Sequence, residues 1–464
     1  MLSSLPKDLL SSLEGVKGFD AAGFLAVHSA GRQETSIRLN PLKCTDPSTC
    51  FAVQENARTL ERVPWSSMGY YLEQRPSFTF DPLFHAGVYY VQEASSMFVE
   101  QALRQGTDLT RPLRVLDLCA APGGKSTLIQ SLISADSLLV SNEVIRSRAA
   151  VLQENITKWG GANVIVTNND PRDLGKLENY FDVIVVDAPC SGSGLFRREP
   201  EAMNEWSLDN VQLCHQRQQR ILADCWPALR QGGLLIYSTC SYSKEEDEDI
   251  LDWMMTEWDV SSLRMQPDPA WHIVETMGEK GGWGYRFYPD QLRGEGLFIT
   301  CLHKNDGGIF AYPKARKNPL EKASRQETET LAGWVKTEQP LFFFRHDEII
   351  HALPAALAGD LSWLQSTCYL KRAGIPLGKL TAKEFIPEHD LALSAMTNSQ
   401  LTAIDVSRED AIKYLRKEDI GLLPAMKGWA LVRYGGQRLG WVKLLGNRIN
   451  NYYPKEWRIL KRDP

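Results

Sequence analysis

The chain has 464 residues, 43% of them hydrophobic and 23% charged, as in an ordinary globular protein. Its length suits roughly two to four domains. No apolar run approaches the ~18–20 residues of a membrane helix, and Met1 to Leu10 lacks a charged n-region and a long apolar core, so a cytoplasmic protein without a signal peptide is expected.

The net charge of −5 is uneven: from residue 311 on, Lys and Arg outnumber Asp and Glu, and the preceding part is acidic. A basic tail on an acidic body suits a polyanionic partner, although a merely solvated face has the same composition. Nine cysteines form no C-x-x-C pair. Reduced thiols and no metal are therefore expected. Cys214, Cys225, Cys301 and Cys368 lie in apolar surroundings and read as small buried hydrophobes.

In chain order, residues 1–110 read as an α+β extension. Leu5 to Leu13 has the spacing of a short amphipathic helix. Thr35-Ser36-Ile37-Arg38-Leu39-Asn40-Pro41 reads as a strand ended by proline, and Val63-Pro64-Trp65 and Gly69-Tyr70-Tyr71-Leu72 as further short strands. Gln92 to Leu103 has helical periodicity.

Residues 111–305 alternate strand and helix. The expected strands run 114–118, 138–142, 164–167, 181–186 and 234–238. Helices follow near Lys125 and over 146–159, 215–229 and 245–258. This alternation predicts a doubly wound parallel sheet, with Gly296 to Leu302 as a closing strand. Residues 306–335, with Pro313, Lys314, Arg316, Lys317 and Pro319, read as a linker. Residues 336–464 read as a β-rich region. Its last part holds a hairpin turning at Gly435-Gly436. Arg448, Tyr452, Tyr453, Lys455, Trp457, Arg458, Lys461 and Arg462 interleave cations with rings, a composition suited to RNA, or equally to aromatics in the core beneath a solvated charged face.

Three strand ends carry the chemistry-bearing residues: Asp117-Leu118-Cys119-Ala120-Ala121-Pro122-Gly123-Gly124-Lys125-Ser126, Asp187-Ala188-Pro189-Cys190-Ser191-Gly192-Ser193-Gly194 and Ser238-Thr239-Cys240-Ser241. Open α/β sheets bind ligands at such ends. The first loop is neither a Walker loop nor G-x-G-x-x-G. Its glycines allow close approach and the helix start offers free N–H donors, which suits a nucleoside carrying a carboxylate. Glu143, at the next strand end, is placed to accept ribose hydroxyls, and Asp170, after the third strand, to accept from an adenine amino group; helix capping is the plainer role for either.

Two cysteines in loops of small residues suit thiolate chemistry. A thiolate adding to pyrimidine carbon 6 turns carbon 5 into an enamine-like centre that attacks an electrophilic methyl. Loss of the carbon 5 proton then expels the thiol. Two cysteines and Asp187 meet these needs, but spacing does not say which cysteine adds.

In order and spacing these three motifs resemble the RNA cytosine-5 methyltransferases of the Sun (nucleolar protein) family over residues 30–305. The resemblance implies a Rossmann-like sheet using S-adenosyl-L-methionine. Cys119, Ala120, Ala121, Pro122, Gly123, Gly124 and Lys125 would cradle the methionine part, Glu143 the ribose and Asp170 the adenine, with Asp187 between cofactor and base. It makes Cys240 the nucleophile and Cys190 the residue of product release, with Lys125 also reaching the base. The segments Ser36 to Pro41, Tyr89 to Ser96, Gly374 to Gly378 and Gly421 to Pro424 resemble a bacterial branch that modifies 16S rRNA in or near the small ribosomal subunit. That branch implies a C-terminal PUA-like RNA-binding module, here from about residue 405; residues 1–110 are expected to be an RNA-binding extension, and a monomer is the default. A tRNA substrate, a non-catalytic ribosome assembly factor and a small-molecule methyltransferase are the alternatives. The last would not need two cysteines or a basic tail. Arg197, Arg198 and Arg217 are expected to add phosphate contacts, and Phe196 to Pro200 reads either as a loop that gates the base pocket or as a plain surface loop.

Overall fold

The computed structural model describes residues 5–50, 60–308, 310–311, 321–421 and 426–462. The linker residues Pro313, Lys314, Arg316, Lys317 and Pro319, and Leu422 to Pro424, lie outside these.

The described residues form four sheets, of which a ten-stranded one is central. Five parallel strands make its middle, in the spatial order Leu229–Thr239, Phe181–Asp187, Arg114–Asp117, Leu138–Asn142 and Val164–Thr167. They read as continuous Val, Ile and Leu runs because helices cover both faces, leaving no solvated side for a polar residue to alternate into. Apolar clusters on either face are built from alternate residues of the same strands: Val115, Leu139 and Val183 on one, Leu116, Val140 and Ile184 on the other. Arg114–Asp117 lies between a strand that follows it and one that follows later, so the order reverses there and a crevice opens above its carboxyl end.

The flanks are antiparallel. Leu297–Lys304 pairs with Leu229–Thr239, as expected of a closing strand, and Trp283–Phe287, Val274–Met277 and Val260–Ser262 extend that side. On the opposite edge Leu370–Ala373, from the tail region, pairs with Val164–Thr167. The helix before it, Ala358–Thr367, buries Leu361 and Leu364 in the core of the central sheet. The tail is thus woven into the central unit. Within the span read as linker, Glu321–Lys322 already pairs with Arg345 and Phe344, and Ser324 and Glu327 form a capping box on the helix Arg325–Leu331.

Several boundaries shift for local reasons. Val63-Pro64-Trp65 is a turn rather than a strand: Val63 N–H reaches Gly69 O (2.9 Å), closing a hairpin between Leu60–Arg62 and Gly69–Leu72. Proline has no ladder donor to offer there. The helix expected from Gln92 begins at Val99, because the Glu93 carboxylate accepts from Ser95 N–H and Ser96 N–H (both 2.8 Å) and shapes a preceding 3₁₀ turn. The helix expected over 215–229 is Leu208–Cys225, capped by Ser207 and stopped before Pro227. Cys214, Cys225, Cys301 and Cys368 are buried free thiols, as read from their surroundings. Cys44, in contrast, is disulfide-bonded, against the expectation of reduced thiols. Among the described residues no helix is long and apolar enough to cross a membrane.

Candidate active site

The three loops meet at the carboxyl edge of the parallel strands. The first leaves Arg114–Asp117 and enters the helix Gly124–Leu132. Gly123 sits at φ +116°, a conformation that favours glycine, and an added Cβ would lie 3.2 Å from Leu152. No side chain caps the helix start, so its first N–H groups remain for a ligand. The loop is tied from outside: Arg148 donates to Ala121 O (2.9 Å) and Asn155 to Pro122 O (2.8 Å). From the N-terminal sheet the buried Arg38 donates to Thr127 Oγ1 (2.5 Å) and Gln92 Oε1 (2.7 Å), with Trp159 beneath its guanidinium (4.4 Å). Sequence reading missed Arg38, since a lone arginine in a short strand gives no sign of burial.

Asp117 is fully buried. Its Oδ2 accepts from Ser126 Oγ (2.6 Å) and its Oδ1 has no partner. Burial pushes its carboxyl up to about 7, opposed by the Ser126 hydrogen bond. Lys125 reaches across to Asp187, Nζ to Oδ2 at 2.7 Å. Burial alone would lower the lysine, but Asp187 beside it, with Asp117 and Cys240 nearby, holds it above its ordinary value. Asp187 Oδ1 accepts from Ser238 Oγ (2.9 Å).

The two cysteine loops leave adjacent strands, and Cys190 Sγ and Cys240 Sγ stand 3.1 Å apart. The hydrogen bond shared with Cys240, together with burial, pushes the Cys190 thiol well above its ordinary range. Gly194 N–H donates to Cys240 O (2.7 Å), an approach that a side chain at 194 would block.

Glu143 and Asp170 lie on the next two strand ends. Glu143 is buried, with Oε1 accepting from Ile145 N–H (2.9 Å) and Arg148 3.5 Å from Oε2. Asn142 and Asn168, both unforeseen, join these ends. Asn142 donates to Leu118 O (3.2 Å) and Asn169 O (3.0 Å), and Asn168 to Glu143 O (2.6 Å). Asp170 caps the short helix Pro171–Gly175 through Arg172 N–H (3.1 Å), the plainer of its two expected roles, and its side chain stays 44% exposed. Cys119 is held in its thiol form by burial.

Of the three arginines expected at phosphates, Arg197 is otherwise engaged. Its side chain is 6% exposed, faces Glu295 at 3.4 Å and donates to Arg32 O (2.6 Å). Arg198 and Arg217 are exposed.

Residues 108–303 match the family model described as 16S rRNA methyltransferase RsmB/F. Ribosomal RNA small subunit methyltransferase F of Vibrio atlanticus is 31% identical over 475 residues, covering 97% of either chain. The chain belongs to this RsmB/F family. Within the family, residues 5–94 match the RsmF N-terminal domain and residues 401–459 the methyltransferase RsmF PUA domain. The Shewanella oneidensis methyltransferase F is 30% identical over 439 residues, 91% of this chain and 90% of its own. Among solved structures, a methyltransferase homolog protein from Pyrococcus horikoshii superposes with a TM-score of 0.52 at 27% identity, covering 65% of this chain and all (100%) of its own. NSun6 from the same organism, solved with SFG, shares the fold at a TM-score of 0.55 and 20% identity, over 66% of this chain and 100% of its own.

RsmB/F enzymes depend on S-adenosyl-L-methionine, and the residues present fit it. The Gly123 cradle, the uncapped helix start and the orphaned buried Asp117 Oδ1 suit a ligand that bears both a carboxylate and hydrogen-bond donors.

Proposed function

We propose that this protein methylates carbon 5 of a cytosine in 16S rRNA through a transient cysteine–base adduct. The observation that carries the reading is the pair of thiols, 3.1 Å apart on adjacent strand ends, beside the Lys125–Asp187 ion pair. The names of the relatives, small-subunit ribosomal RNA methyltransferases, support the substrate. The PUA match and the basic tail support RNA over a small molecule.

S-adenosyl-L-methionine would be held by residues 119–125, Glu143 and Asp170, and it supplies an electrophilic methyl group. Cys240, which faces the Lys125 ammonium, adds as thiolate to carbon 6. Asp187, oriented by Lys125 and Ser238, accepts from the cytosine amino group and so holds the pyrimidine edge, while the Lys125 ammonium offsets the negative charge that thiolate addition puts on the ring. Cys190, in contact with Cys240, gives up its own proton to the medium and as thiolate takes the carbon 5 proton, so that the C6–S bond breaks and Cys240 leaves as thiolate. The expected consequence is that Cys190→Ala accumulates a protein–RNA adduct stable to denaturing electrophoresis, whereas Cys190→Ala/Cys240→Ala does not. An adduct that survives loss of Cys240 would reverse the roles of the two thiols.

A further inference from the structure

Glu246 has no part in the chemistry above, yet it joins both cysteine loops. Its Oε1 accepts from Ser191 N–H (2.8 Å) and Gln218 Nε2 (3.0 Å), and its Oε2 from Ser191 Oγ (2.5 Å) and Ser241 Oγ (2.6 Å). Ser191 follows Cys190 and Ser241 follows Cys240 in the chain. A buried carboxylate is costly unless its lone pairs are met, and here four donors converge on the two oxygens. Gln218 also donates to Pro189 O (3.1 Å), so the residues on either side of Cys190 are held by the same small network. Glu246 is anchored in turn, since its backbone carbonyl accepts from the buried Tyr237 hydroxyl (2.7 Å).

We propose that Glu246 is the positioning residue of the two-cysteine site: one buried carboxylate fixes the Cys190 and Cys240 loops against each other and sets negative charge beside Cys190. This rests on the reading of Cys240 as nucleophile. The hydrogen bond with Cys240 and burial already disfavour a thiolate at Cys190, and the Glu246 charge adds to them. Besides the two cysteines, the titratable groups packed around Glu246 are Tyr237, Asp247 and Cys214. Asp247 is itself paired with Arg286 (3.1 Å).

Two variants separate geometry from charge. Glu246→Gln keeps shape and hydrogen bonding, because serine hydroxyls can turn from donor to acceptor, but removes the charge. Glu246→Ala removes both. The first readout, made without RNA, is the pH profile of iodoacetamide alkylation at Cys190 and Cys240, resolved by peptide mass spectrometry. Glu246→Gln should raise the rate at Cys190 about threefold or more at neutral pH, half a pKa unit or more downward. The second readout is methyl transfer to RNA. Glu246→Ala should lower kcat about tenfold or more with KM for RNA unchanged, and Glu246→Gln should restore most of that loss. An unchanged Cys190 profile in Glu246→Gln, or a wild-type kcat in Glu246→Ala, would overturn the proposal. If Glu246→Ala does not fold, the profile of Glu246→Gln decides alone. Failure of the nucleophile reading is seen separately, as activity retained by Cys240→Ala.

Discussion

At the scale of single residues the site is an arrangement of charges around two thiols. Lys125 is the nearby cation, and its pairing with Asp187 orients that carboxylate. Asp187→Asn should therefore lower kcat by about 10²-fold or more, with cofactor binding affected much less. Equal losses in both would make Asp187 a binding residue only. Asp117 makes a second, pH-dependent prediction. Its carboxyl is raised from 3.8 to about 7, mainly by burial, so the fold holds a proton that the unfolded chain releases. The stability this contributes is present below the unfolded value and is lost as pH rises through the folded one. Asp117→Asn, which can still accept from Ser126, should gain thermal midpoint relative to wild type as pH rises from roughly 4 to roughly 7. A flat difference would show that Asp117 ionises freely in the fold.

Among elements, the close approach of two loops decides the geometry. Gly194 lets the Cys190 loop lie on the backbone of Cys240, and a methyl group there would meet the Cys240 carbonyl. Gly194→Ala should cost about 1–3 kcal/mol of stability and more activity than that loss explains, measured by denaturant unfolding beside methyl transfer. Wild-type activity in that variant would show that the thiol spacing is not critical. These loops were legible in the sequence because each follows a Val/Ile/Leu run and consists of small residues, a pattern that local physics ties to a strand end. Glu246 was not legible. Its role depends on two serines fifty residues apart in the chain, Ser191 and Ser241, meeting in space. The turn at Val63-Pro64-Trp65 was missed for a nearer reason: apolar residues suggested a strand, and the missing proline donor was given too little weight.

At the scale of the whole molecule, the ends of the chain hold the body between them. Asn40 donates to Trp159 O (2.9 Å), fastening the N-terminal sheet to the central unit. Tyr414, Leu415 and Tyr453 of the tail share one apolar cluster with Ile37, Leu39 and Tyr89 of that sheet. Leu370–Ala373 completes the edge of the central sheet. Pairing of this kind joins strands two hundred residues apart and leaves no local mark in the sequence, which is why the tail read as a separate region. Removal of residues 401–464 should thus lower the thermal midpoint of what remains, not merely weaken RNA binding; an unchanged midpoint would contradict the shared cluster. The exposed cations of the tail lead to the further expectation that RNA affinity falls steeply with salt, each neutralised phosphate adding about −0.7 to −0.9 to the logarithmic slope. Affinity indifferent to salt would remove the electrostatic account of binding.

The most direct test of the central claim is nucleoside analysis of 16S rRNA after incubation with labelled S-adenosyl-L-methionine and either the wild-type protein or Cys240→Ala. Label in 5-methylcytosine with wild type and none with Cys240→Ala is the predicted result. Label in another nucleoside, or 5-methylcytosine formed without Cys240, would contradict it.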